Sequence, residues 1–216
     1  MVAHKPPVPL ISKVSDISEA LSIRQNLLPG DIGWLVWLHG VIYAREMGWD
    51  YTFEAYVAGP LAEFAIRRNE REAIWLVECS DRVGVASDYE SRKLDTRSTL
   101  TALPDTNGED TPAEAYPSIV GSVAVVEASS TDAQLRWLLL TPELRGQGVG
   151  RLLMSQALKF CKDKGYERLF LWTTSDLTDA ARLYIAAGFR MTKEETRTIW
   201  GKFVTEQKFE RELSDI

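Results

Sequence analysis

Apolar residues recur at helical spacing from Ile32 to Met47, with Leu35, Leu38 and Ile42 on one side and Gly48 as a stop. Just upstream, Leu21-Ser22-Ile23-Arg24 alternates and predicts a short strand. The Leu27–Asp31 turn then offers Asp31 as a helix N-cap. A second helix is expected from Thr52 or Phe53 to Arg68, with Pro60 inside it as a possible kink or break. Ala73 to Glu78 is rich in β-branched and aromatic residues and reads as a strand, as do Ile119 to Ala128 and Leu135 to Leu140. Gly148 to Lys164 predicts an amphipathic helix. Leu153, Ala157 and Phe160/Cys161 make its apolar stripe, Gln156, Lys159 and Asp163 its outer face, and Gly165 its C-terminal cap. Arg168 to Thr173 reads as a strand and Thr178 to Ala187 as a helix stopped by Gly188. Phe189 to Lys193 and Gln207 to Leu213 read as the last two strands.

That order predicts one α/β domain over 21–216, built on a mixed sheet of six to seven strands with flanking helices. Residues 1–20 contain three prolines and read as a flexible leader. The stretch at about 80–116 carries polar clusters around Asp88 and Asp105–Asp110 and reads as a surface insertion, whose length costs little closure entropy.

Composition narrows the function classes. The chain has 216 residues, 45% of them hydrophobic and 26% charged, with a net charge of -6. No basic face is implied, which argues against nucleic-acid binding. No 18-residue apolar stretch occurs, and the N-terminus lacks a signal-peptide core, so a soluble cytoplasmic protein is expected. Cys79 and Cys161 each sit in an apolar run and read as reduced, buried thiols. With two histidines, His4 and His39, and no ligand spacing, no metal site is expected.

The segment that carries chemistry is Arg145-Gly146-Gln147-Gly148-Val149-Gly150, between a strand and a helix. Unpaired N–H groups and the positive end of the macrodipole at a helix start attract phosphate, and glycines allow close approach. The dinucleotide fingerprint needs glycines at offsets of two and then three; here the offsets are two and two. The triphosphate loop needs Gly-Lys-Ser/Thr, but Gly150 is followed by Arg151-Leu152.

What remains is Arg-x-x-Gly-x-Gly behind an apolar strand ending in Thr141-Pro142-Glu143. This resembles the acyl-CoA loop of the GNAT superfamily of N-acetyltransferases. Ala180-Ala181-Arg182-Leu183-Tyr184 through Gly188-Phe189 is similar to that family's tyrosine-bearing helix. The likeness runs from about Ile119 to Leu213. Farther upstream, Pro29 to Trp34, His39 to Tyr43 and Glu46 to Asp50 resemble a bacterial subgroup often fused behind a winged-helix regulator of the multiple-antibiotic-resistance type. Before Leu21 there is no room for that regulator.

The resemblance implies a function and a site. The function is transfer of an acetyl group from acetyl-CoA to a primary amine, on a small metabolite, an amino acid or a lysine or peptide amine. A homodimer is compatible with it. The implied site lies between two splayed parallel strands, here Leu135–Leu140 and Arg168–Thr173. The pantetheine arm would pair with Leu138 and Leu140, beside Leu139, whose backbone N–H groups would polarise the carbonyl. The pyrophosphate would rest on Gln147, Gly148, Val149, Gly150 and Arg151, helped by Arg145 and reached through Gly146. Tyr184 matches the family's acid; a core aromatic is the competing reading. Where the family often carries an Asn, this chain has Leu177, with Asp176 or Asp179 as substitutes. Glu46, His39 and Glu54 are the candidates for a base, against surface or packing roles for each and against a water chain. Trp34, Trp37 and Trp49 are candidate acceptor walls or core residues. A non-catalytic acyl-CoA sensor is the alternative function.

Overall fold

A computed structural model describes residues 21–67, 69–79 and 119–213. The expected leader and the expected insertion at 80–116 lie outside these residues.

The chain enters through β1 (Leu21–Arg24), which leads to α1 (Asp31–Met47) and α2 (Thr52–Arg67). Asp31 is the first helical residue and does not cap the helix; Gly30, at φ 96°, holds the cap position. The Asp31 carboxylate, almost fully buried, has another task. It accepts both arms of the Arg24 guanidinium at 2.7 and 2.8 Å and the Leu28 N–H at 2.6 Å. Arg24 Nε reaches Glu78 at 2.8 Å. A buried carboxylate is tolerable only with such a fork, and the fork fixes α1 to β1. Pro60 does not divide α2, which runs unbroken.

Strands β2 (Ala73–Cys79), β3 (Ile119–Glu127) and β4 (Asp132–Leu140) follow. Then come a 3₁₀ turn at Pro142–Leu144, α3 (Val149–Asp163), β5 (Arg168–Thr174), α4 (Thr178–Ala186), β6 (Arg190–Ile199) and β7 (Lys202–Glu212). The seven strands form one mixed sheet in the order β1-β2-β3-β4-β5-β7-β6. The last two strands are much longer than their sequence predicts. They meet at Trp200-Gly201, both at positive φ as a two-residue hairpin turn requires.

Alternation along the strands loads both faces of the sheet. Trp75, Val77, Val123 and Val125 pack with Leu153, Met154, Ala157 and Cys161 of α3. Ile74, Leu76, Ala124 and Val126 pack with Leu35 of α1 and Phe53, Val57, Leu61 and Phe64 of α2. Each fully buried leucine contributes about 1.5–3 kcal/mol. Cys161 is among these core residues; Cys79 is half-buried, and both are free thiols.

The sheet opens in its middle. β4 and β5 are parallel and pair only from Asp132–Gln134 to Arg168–Phe170. Beyond that, β4 stays bound to β3 as far as Leu140, and β5 to β7 as far as Thr174. A bulge in β4 accompanies the split: the register against β3 shifts between Ser122 and Ala124, and Trp137 sits at φ 50°. Ser122 Oγ donates 2.6 Å to the Trp137 carbonyl and holds it there. A left-handed tryptophan costs about 1–3 kcal/mol and persists only where its surroundings enforce it. The bulge also exchanges the strand's faces. Leu135 packs on the α3 side, Trp137 and Leu139 on the α1–α2 side, and Leu138 and Leu140 on the α3 side again.

Candidate active site

A cleft of about 740 Å³ runs through the split. Its walls are the free edges of β4 and β5, the glycine loop, the start of α4 and the inner faces of α1 and α2. At its floor the edge of β4 past Gln134 has no strand partner, so an extended ligand has a backbone ladder to join.

The glycine loop opens onto one end. Gly146 and Gly148 sit at φ 74° and 88°, a region side chains rarely adopt. Gly148 caps α3 without any side-chain cap, so the first N–H groups of the helix are left to a ligand. At Gly150 a Cβ would crowd Leu183 at 3.3 Å, which ties the loop closely to α4. Gln147 lends its amide nitrogen to the Glu143 carbonyl, leaving its buried Oε1 without a partner. These features fit an acyl-CoA: open strand edge, uncapped helix start and glycine approach lie along one cleft.

Arg145 is already engaged. Its Nε donates 3.2 Å to the Leu140 carbonyl, and its Nη1 lies 2.9 Å from the Glu46 carboxylate. Glu46, expected among the bases, is therefore the counter-ion of the loop arginine.

Tyr184 stands at the centre. It is buried against Phe189 and Phe209 and lines the cleft, and its hydroxyl makes no hydrogen bond among the described residues. Burial, and then the neighbouring Tyr43, push its pKa above the usual phenol range. Burial likewise raises Tyr43 to about 12, with Arg145 opposing. Two protonated phenols, one from α4 and one from α1, thus share the cleft.

His39 lies one turn before Tyr43. Its Nδ1 donates 2.7 Å to the Leu35 carbonyl, which fixes the tautomer. Its Nε2 is buried without a partner, and the residue lines the cleft. Desolvation lowers its pKa to about 4, so the ring is neutral, with an acceptor lone pair available.

The structure brings Leu138, Leu139, Leu140, Arg145, Gly146, Gly148, Gly150, Arg151 and Tyr184 to one cleft, with His39 and Glu46. Val149 starts α3 beside them. Leu177, Asp176 and Asp179 line the same wall, and Asp179 pairs with Arg182 at 2.8 Å. Glu54 is exposed and does not line the cleft. Of the three expected wall tryptophans, Trp49 lines it; Trp34 and Trp37 pack against each other at a tilt instead, with Trp34 Nε1 donating to the Ile119 carbonyl at 2.9 Å. Sequence reasoning missed Arg136, Trp137, Thr174, Trp200 and Glu206, all lining residues. Their strands carry an ordinary alternating pattern, and no local signal marks the bulge or the hairpin turn.

An α/β sheet split between parallel strands above a glycine loop defines an acyl-CoA-type fold. Residues 86–189 match the family described as Acetyltransferase (GNAT) family. The chain is 30% identical over 97 residues to N-acetyltransferase 8B of Homo sapiens, a match covering 43% of each protein. The chain thus spans less than half the length of that curated relative. Among solved structures, an acetyltransferase from Streptococcus agalactiae superposes with a TM-score of 0.60 at 15% identity, over 90% of this chain and 99% of that one. YncA from Salmonella typhimurium, solved with its cofactor acetyl-CoA, superposes with a TM-score of 0.58 at 14% identity, over 90% and 94%. The family match and the fold likeness agree on a GNAT-type acetyltransferase domain.

Proposed function

We propose that the chain transfers an acetyl group from acetyl-CoA directly to a primary amine. The observation that carries this reading is Tyr184, a buried residue lining the split that also receives the glycine loop, with no hydrogen bond to its hydroxyl among the described residues. Acetyl-CoA, once bound, supplies an acyl thioester. Gln147, Gly148, Val149, Gly150 and Arg151 hold the pyrophosphate with backbone N–H groups. Leu138 and Leu140 present strand edge to the pantetheine arm, and backbone N–H groups around Leu139 donate to the acyl oxygen. Tyr184 keeps its proton through neutral pH and gives it to the leaving thiolate. His39 Nε2 accepts a hydrogen bond from the incoming amine and orients it, and the amine's proton leaves to solvent as the amide forms. With its low pKa, His39 orients the amine and does not store charge. Glu46 tethers Arg145 and is not the base.

The likeness to the acetyltransferase half of winged-helix fusions rests on the Pro29–Trp34 and His39–Tyr43 segments. The Arg24–Asp31 fork and the His39–Leu35 bond give those residues physical work in this fold. A cytoplasmic location and a homodimer belong to the same reading. No described helix is long and apolar enough to cross a membrane.

The test is a free-thiol assay with acetyl-CoA across polyamines, amino acids, arylamines and lysine peptides. Thiol release with one acceptor class, with matching acetylated product, supports transfer. A flat response from protein that binds acetyl-CoA identifies a sensor instead.

A further inference from the structure

Arg136 is a half-buried arginine with no carboxylate partner among the described residues. Three other arginines on this sheet are held by carboxylates. Arg168 pairs with Asp132, Arg197 with Glu206, and Arg24 with Asp31 and Glu78. Arg136 instead lies over two rings, 5.2 Å from the Trp137 centroid and 5.9 Å from that of Tyr56. Ring faces offset part of the cost of holding a cation away from water, but they leave the guanidinium fork open.

Its place in the sheet gives that fork a direction. Ladder pairing between β4 and β5 ends at Gln134, so Arg136 stands just inside the split and lines the cleft. It precedes Leu138 by two residues, across the Trp137 bulge. On this side of the cleft it is the lone lining cation among the described residues, because Arg145, Arg151 and Arg182 belong to the glycine loop and its helices. One cation with an open fork suits a singly charged carboxylate better than a phosphate dianion. Tyr56, Trp137 and Trp200 supply apolar surface beside it.

We infer that Arg136 binds the carboxylate of the acceptor, and that the acceptor is therefore an amino-carboxylate with an apolar or aromatic body. The inference deepens the acyl-transfer reading and rests on it for the word acceptor. The fork sets the carboxylate a few bonds from the amine, as in an α-amino acid, while the rings hold the remainder.

Binding, read without turnover, tests it. The free protein is titrated with L-phenylalanine, 3-phenylpropionate and 2-phenylethylamine while tryptophan fluorescence is followed, with calorimetry as a second readout. Both carboxylates should bind at least tenfold more tightly than the amine. Arg136→Gln should erase that preference, and Arg136→Lys should restore part of it, with melting temperatures close to the parent's. Equal or tighter binding of 2-phenylethylamine overturns the inference. So does a preference that survives Arg136→Gln, or no carboxylate binding up to about 10 mM. A carboxylate preference in a protein that acetylates nothing leaves the Arg136 site standing and removes the transferase reading. Acetylation with no such preference does the reverse.

Discussion

The guanidinium of Arg145 lies 2.9 Å from the carboxylate of Glu46, so the glycine loop and helix α1 are joined by one ion pair. The arginine is about two-fifths exposed and the glutamate about one-quarter, so solvent weakens the pair. A pyrophosphate arriving at the loop would compete with Glu46 for the same cation.

Glu46→Gln therefore has a distinctive expected outcome. Acetyl-CoA should bind a few-fold more tightly, because the competing carboxylate is gone, and kcat should change less than about threefold. A fall in kcat of about a hundredfold or more, the scale of lost base catalysis, would restore Glu46 as the base. Calorimetry and steady-state kinetics on one variant separate the two.

Tyr184→Phe removes a proton donor and keeps the ring that packs on Phe189 and Phe209. Turnover should fall about 10²–10⁴-fold, while the KM for acetyl-CoA and the melting temperature stay near the parent's. An unchanged rate would return Tyr184 to the role of a core aromatic. Because burial raises the Tyr184 pKa, the parent's rate should show no alkaline decline from this group below about pH 10.

His39 makes stability depend on acid. Its folded pKa, about 4, lies below the ordinary value of 6.5, so the unfolded chain binds the extra proton between these values. Stability should fall as pH drops from about 6.5 to about 4, by up to roughly 3 kcal/mol. His39→Leu should flatten this part of the profile in urea melts at stepped pH. An unaltered profile would mean that His39 is not held neutral.

Ser122→Ala tests the bulge. It deprives the buried Trp137 carbonyl of its 2.6 Å hydrogen bond, which should cost about 1–3 kcal/mol. If the bulge sets the split, acetyl-CoA affinity should fall along with stability. A stability loss with unchanged affinity would show that the split survives without this bond.

The fold was legible where local physics is strict. The loop and α3 stand out because Gly146 and Gly148 take conformations that side chains avoid, while Leu153, Ala157 and Cys161 keep a helical period. The sequence predicts β6 too short because nearly all its residues are exposed, which leaves no alternation to read. Asp31 resembles a cap because its side chain suits one, yet a half-buried arginine seven residues earlier recruits it. The cleft was half legible. Tyr184 and the loop lie close in the chain to the motifs that announce them. The Glu46–Arg145 pair joins residues 99 positions apart, and Arg136 acquires its setting from a bulge and a helix that only folding brings together.

Calorimetric titration with acetyl-CoA tests the central claim most directly. One saturable site per chain, with a Kd on the order of 10 μM or tighter, is the predicted result. No heat of binding at concentrations of several hundred μM would contradict the acyl-CoA reading of the cleft, and with it the proposed transfer.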